Sequence, residues 1–98
     1  MILEHALLPV AAERAEEFET AFARARGLIS AMPGFRRLSL SRCLEQPGTY
    51  LLLVEWDSLE AHTEGFRRSA EYEEWRSLLH HFYDPFPTVL HFAPVSPV

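Results

Sequence analysis

Near the middle of the chain, Tyr50 to Trp56 form a nearly continuous apolar run broken only by Glu55. Read as a strand, this run turns Leu51 and Leu53 to one face of a sheet and Leu52, Val54 and Trp56 to the other. Both faces then need cover. A chain of 98 residues has room for one hydrophobic core, not two. Its own helices can cover one face of a sheet, and a second copy of the same sheet is the economical cover for the other. A homodimer with two sheets facing each other as a barrel is therefore expected.

The flanking segments supply the rest of the sheet and its helices. Ile2 to Leu8 is apolar and closed by Pro9, which predicts a first strand. Ala15, Phe18, Phe22, Ala25, Ile29 and Met32 recur at alternating spacings of three and four, with Glu13, Glu16, Glu17, Arg24 and Arg26 between them. That is an amphipathic helix with one apolar stripe, stopped by Pro33-Gly34. Phe35 to Leu44 alternates, with Phe35, Arg37, Ser39, Ser41 and Cys43 on one face and Arg36, Leu38, Leu40 and Arg42 on the other. Gln46-Pro47-Gly48-Thr49 is a turn that makes a hairpin with Tyr50–Trp56. Asp57 or Ser58 caps the next helix, with Glu60 placed for a capping box. Gly65 and Ser69 predict a break before a second helical piece from about Ala70 to Phe82, and Thr88 to Ala93 reads as a last strand.

The order βαββαβ predicts an α+β fold of the ferredoxin-like kind, a four-stranded antiparallel sheet with helices on one face. One domain is expected over residues 1–93, followed by a loose tail over 94–98 marked by Pro94 and Pro97. Hydrophobic residues make up 48% of the chain, as in globular rather than disordered proteins. The net charge is −5, and all nine basic residues are arginines scattered without a basic stripe. Nucleic acid and anionic membrane are poor partners for such a surface. The apolar run Leu51–Val54 is too short to span a bilayer, and no basic region precedes an apolar stretch at the N-terminus. The single cysteine, Cys43, excludes an internal disulfide framework and suits a reducing, cytoplasmic location.

Three segments, taken in order, resemble the antibiotic biosynthesis monooxygenase family of dimeric α+β barrels. They are Met32-Pro33-Gly34-Phe35, Val54-Glu55-Trp56-Asp57-Ser58, and Ser69-Ala70-Glu71-Tyr72-Glu73-Glu74-Trp75. The resemblance covers about residues 1–93. It implies an oxygenase that needs no metal or flavin and acts on an aromatic, quinol-like or polyketide-like small molecule. In the polyketide-oxidising branch a strand-end tryptophan matches Trp56, a tyrosine falls on His62, and an arginine falls on Arg76. An asparagine of that branch falls on Leu52, a departure. The haem-degrading branch is excluded, because its asparagine, tryptophan and histidine fall on His5, Phe66 and Arg76.

Cofactor-free oxygenation needs a base, a cation or donor for the resulting anion, and a dry aromatic cavity. His62 is the expected base, Arg76 the expected anion holder, and Trp56 completes the catalytic set. Phe22, Phe66 and Tyr72 are expected as aromatic wall, and His5 as a further pocket group. On an α-helix His62 and Phe66 share a face, as do Tyr72 and Arg76. Each residue also has a plainer use: Trp56 as core, His62 as a half-exposed helix residue, Arg76 as a surface partner of Glu73, His5 as a satisfied core histidine. The five histidines, His5, His62, His80, His81 and His91, lack the i, i+4 helical spacing of a metal site, so no metal is expected. Two other functions remain compatible with the scaffold: a non-catalytic ligand-binding or stress-related dimer, and a small-molecule isomerase.

Overall fold

The protein is described by a computed structural model over residues 1–96; Pro97 and Val98, and with them the end of the expected tail, lie outside the described residues. The elements run β1 (Ile2–Pro9), a 3-10 turn (Ala12–Arg14), α1 (Ala15–Ser30), β2 (Phe35–Arg42) and β3 (Thr49–Trp56). A π-helical turn (Ala61–Phe66), α2 (Ala70–Leu79), a second 3-10 turn (His80–Phe82) and β4 (Val89–Phe92) follow. The strands form one antiparallel sheet in the order β2-β3-β1-β4. This is the ferredoxin-like α+β fold expected from the order of elements.

Alternation decides which side chains meet the helices. Ala6 and Leu8 of β1 and Tyr50, Leu52, Val54 and Trp56 of β3 are buried beneath α1 and α2. From the helix side, Phe18, Phe22, Ala25 and Ile29 of α1 and Trp75 and Leu79 of α2 complete the core. The stripe predicted for α1 is the buried stripe. The opposite sheet face carries Leu3, His5, Leu7, Leu51, Leu53, Leu90 and Phe92, with no element of the described residues packed over it. Leu7, Leu90 and Phe92 on this face are 54%, 49% and 46% exposed.

One expected facing is corrected. Strict alternation predicts Phe35 on the face of Arg37, Ser39, Ser41 and Cys43, but a bulge between Phe35 and Arg37 shifts the register, so Phe35 pairs with Trp56 and Arg37 with Glu55. Phe35 thereby stands with the core-facing set and meets the Trp56 indole edge-on at 5.9 Å. The preceding Gly34 has φ +86°, and a Cβ there would sit 2.6 Å from Ala61 Cβ. Glycine is required at this position on both counts. Its carbonyl also accepts the Asp57 N–H at 2.8 Å, which ties the end of β3 to the start of β2.

Candidate active site

Register brings the polar groups of the site together before any helix is considered. On the helix-covered face, Glu4 of β1 lies between Val54 of β3 and His91 of β4. Trp56, at the end of β3, stands one pair along on the same face. The chain then enters a helical turn in which Ser58 Oγ accepts the Ala61 N–H at 3.2 Å. Ser58 is thus the cap; Asp57, the other candidate, faces Arg36 at 3.5 Å instead. The turn widens into a π turn, with the Arg67 N–H donating to the His62 carbonyl at 3.0 Å. A π turn closes five residues on, so Arg67 as well as Phe66 returns to the side of His62. Ser69 accepts the Tyr72 N–H at 3.0 Å and starts α2.

The result is a cavity of about 370 Å³ between the sheet and α2. Leu52, Phe66, Tyr72, Trp75, Tyr83 and Phe86 give it apolar and aromatic walls. Glu4, His62, Arg67 and His80 are its polar lining. Glu4 and His62 are 5% and 3% exposed, so a polar atom of either left without a partner is costly. The Trp56 Nε1–H donates to Glu4 Oε1 at 2.9 Å, and His62 Nε2 lies 3.3 Å from the same oxygen. His62 Nδ1 lies 2.8 Å from His91 Nε2, and the His62 ring stacks on the Trp56 indole at 5.5 Å and 22°.

Burial governs the charges of this chain of groups. It pushes Glu4 above the ordinary carboxylate value, against the pull of the Trp56 hydrogen bond and of the nearby Arg67 charge. It pushes His62 down to about 3, with Arg67 and His91 adding to the effect. His91 and His80 are lowered too, first by burial and then by Arg67 and Arg76 respectively. His62 is therefore neutral at ordinary pH, and Glu4 is a carboxyl group with raised affinity for a proton.

The expected site residues divide. His62, Phe66 and Tyr72 line the cavity, and Trp56 backs it by stacking on His62 and bonding Glu4. Arg76 does not share it. The buried side of α2 is set by Trp75 and Leu79, and Arg76 points outward to pair with Glu73 at 3.1 Å, with its side chain 57% exposed. Phe22 is core: it packs edge-on against Trp75 at 5.7 Å and borders a separate recess between α1 and β2. His5 is on the uncovered sheet face, because it alternates with Glu4 and Ala6; its ring meets Phe92 edge-on at 5.5 Å and its Nδ1 has no hydrogen-bond partner among the described residues.

Glu4, Arg67 and His91 were not expected at the site. A carboxylate on the same strand face as Ala6 and Leu8 was a visible signal, since a charge among core positions demands partners. His91 shares its face with Val89 and carried a similar hint. Arg67 had none, because an α-helical phase turns it away from His62.

The comparisons with known proteins agree with this fold. The family model described as antibiotic biosynthesis monooxygenase matches residues 1–78. The chain belongs to this family. A Bacillus subtilis protein, YczJ, itself uncharacterized, is 55% identical over 95 residues, covering 97% of this chain and all of that protein. Among solved structures, a Bordetella bronchiseptica protein named for the family superposes with a TM-score of 0.91 at 35% identity, over 97% of each chain. SnoaB from Streptomyces nogalater, described as a cofactor-independent oxygenase, superposes with a TM-score of 0.77 at 21% identity, over 99% of this chain and 95% of its own, a likeness of fold. The general type of function is that of the family. No helix among the described residues is long and apolar enough to cross a membrane.

Proposed function

We propose that the protein is a cofactor-independent monooxygenase of the cytoplasm, acting as a homodimer on an acidic aromatic molecule of quinol-like or polyketide-like structure. The observation that carries this reading is the aromatic cavity with a buried carboxyl–imidazole pair in its lining and Arg67 beside it. The volume suits a small ligand of a few fused rings. Arg67 makes no ion pair with any described residue, and its guanidinium is available to hold a phenolate or enolate oxygen, the role expected of Arg76. His62 and Trp56 enter as a neutral hydrogen-bonding ring and the indole that fixes its plane. The aromatic walls favour a flat, apolar substrate, which would itself displace water from them.

The chemistry balances with O₂ as the only co-reactant. A ring CH₂ activated by a neighbouring phenol loses one proton to the site, leaving a carbanion. That anion gives one electron to O₂, and the substrate radical and superoxide combine into a peroxide. Protonation of the peroxide and loss of the second C–H hydrogen release water and leave a carbonyl. One oxygen atom ends in the product and the other in water.

Oxygen uptake with a panel of hydroquinones and anthrone-like phenols tests the reading. Wild type is expected to consume O₂ with at least one of them, and His62→Ala and Arg67→Gln to be slowed by about 10²-fold or more. Ligands that bind without oxygen uptake would instead support the non-catalytic binding module. The hydrogen bond of His62 Nδ1 to His91, with Glu4 standing 3.3 Å from Nε2, favours that second reading.

A further inference from the structure

A general base must offer a lone pair to the proton it takes. His62 lines the cavity, but its Nδ1 is hydrogen-bonded to His91 Nε2 at 2.8 Å, and its Nε2 faces Glu4 Oε1 at 3.3 Å without hydrogen-bond geometry. To receive a substrate proton it would have to give up His91 at Nδ1 or admit the substrate between Nε2 and Glu4. Glu4 is placed differently. Its Oε1 accepts the Trp56 N–H and lies 3.3 Å from His62 Nε2, while its Oε2 has no hydrogen-bond partner among the described residues, and the side chain lines the cavity. Burial also raises its affinity for a proton, toward the range in which a carboxylate is a useful base.

We propose that Glu4 is the proton acceptor of the cavity and that His62 and His91 are positioning residues that aim its carboxylate. The inference deepens the oxygenase reading and rests on it for the oxygen chemistry, though not for the proton transfer. In the step itself, an O–H or C–H bond of the substrate breaks and its electron pair stays on the substrate as a phenolate or carbanion. The proton goes to Glu4 Oε2, giving a neutral carboxylic acid. His91 donates Nε2–H to His62 Nδ1, which leaves the His62 proton on Nε2, directed at Glu4 Oε1. His62 stays neutral throughout. The other titratable or charged groups lining the cavity are Arg67 beyond the π turn, Tyr72 on α2, His80 at its end and Tyr83 after the second 3-10 turn. Of these, Arg67 favours the carboxylate form.

The test uses the full chain and the same phenols, with two readouts: the infrared difference spectrum on binding, and kcat/KM against pH. In wild type, binding of an acidic phenol is expected to raise a protonated-carboxyl band that Glu4→Gln lacks. Glu4→Gln keeps the side-chain shape; kcat should fall by about 10²–10⁴-fold with KM within about threefold, and the acid limb of the profile should vanish. His91→Phe frees His62 Nδ1 and should move that limb to higher pH, whereas His91→Gln, which can still donate to Nδ1, should restore it. A band that persists in Glu4→Gln, or a kcat within about threefold of wild type, overturns the inference and leaves the oxygenase reading standing. A band without oxygen uptake by any phenol removes the oxygenase reading and leaves Glu4 as the acceptor. If no phenol binds wild type, both fall.

Discussion

His62, His80 and His91 are all held away from the charged form by burial, and this couples the site to stability. In the unfolded chain a histidine titrates at its ordinary value of 6.5, whereas folded His62 does so at about 3. Between those values the unfolded state binds the extra proton, so this contribution to stability is complete above 6.5 and is lost as pH falls toward 3. Glu4 works in the opposite sense: its raised value stabilises the fold at acid pH and is lost as pH rises through the folded value. The histidines outnumber it, so wild type should lose stability on going from pH 7.5 to pH 5. His62→Phe, which keeps a ring against Trp56, should narrow the difference between the urea midpoints at the two pH values. An equal or larger difference in the variant would show that His62 is charged in the folded protein.

At the scale of elements, regular periodicity was legible and departures from it were not. The α1 stripe, the hairpin and the alternation of β1 and β3 follow from spacings of 3.6 and 2, so the core could be read from the sequence. Phe18 and Phe22 are accordingly buried, at 0% and 5% exposure, and Phe18→Ala and Phe22→Ala should each cost about 3–5 kcal/mol in urea unfolding. Glu17→Ala, which loses only an exposed pair with Arg14, should cost under about 0.5 kcal/mol. The bulge at Phe35 and the π turn at Ala61–Phe66 each break a period, and both lie beside the site. They moved Phe35 onto the core side and Arg67 toward the cavity, where a constant phase predicted neither. Gly34 is the joint between these two irregular pieces. Gly34→Ala meets both a positive φ and Ala61 Cβ, and should lower the thermal midpoint and loosen the π turn, read as faster amide exchange at Arg67. Unchanged exchange there would mean that the β2 and π-turn backbones are not coupled through this contact.

At the scale of the whole molecule, the uncovered sheet face is the largest physical problem the single chain leaves unsolved. Leu3, Leu51 and Leu53 form its middle, Leu7, Leu90 and Phe92 are about half exposed around them, and Ser39 and Ser41 extend it across β2. A contiguous apolar patch of this kind in water marks an association surface. A second sheet of the same chain offers the same row of leucines, so a two-fold arrangement pairs like with like and closes without leaving a further apolar face. A stable contact of this type buries about 1,200–2,000 Å² in total, the scale of two sheet faces laid together. His5 belongs to the same face, and its unpartnered Nδ1 is a polar atom for which a dimer would supply a partner or a water. Light scattering at micromolar concentration should therefore give twice the chain mass of 11.3 kDa. Leu53→Asp places a charge at the centre of the face and should shift the mass to that of one chain. Leu59→Asp, a change at a 40% exposed leucine that lies outside the sheet, should leave it unchanged. A wild-type chain that runs as a monomer, or a Leu53→Asp variant that remains dimeric, would place the association surface elsewhere or remove it.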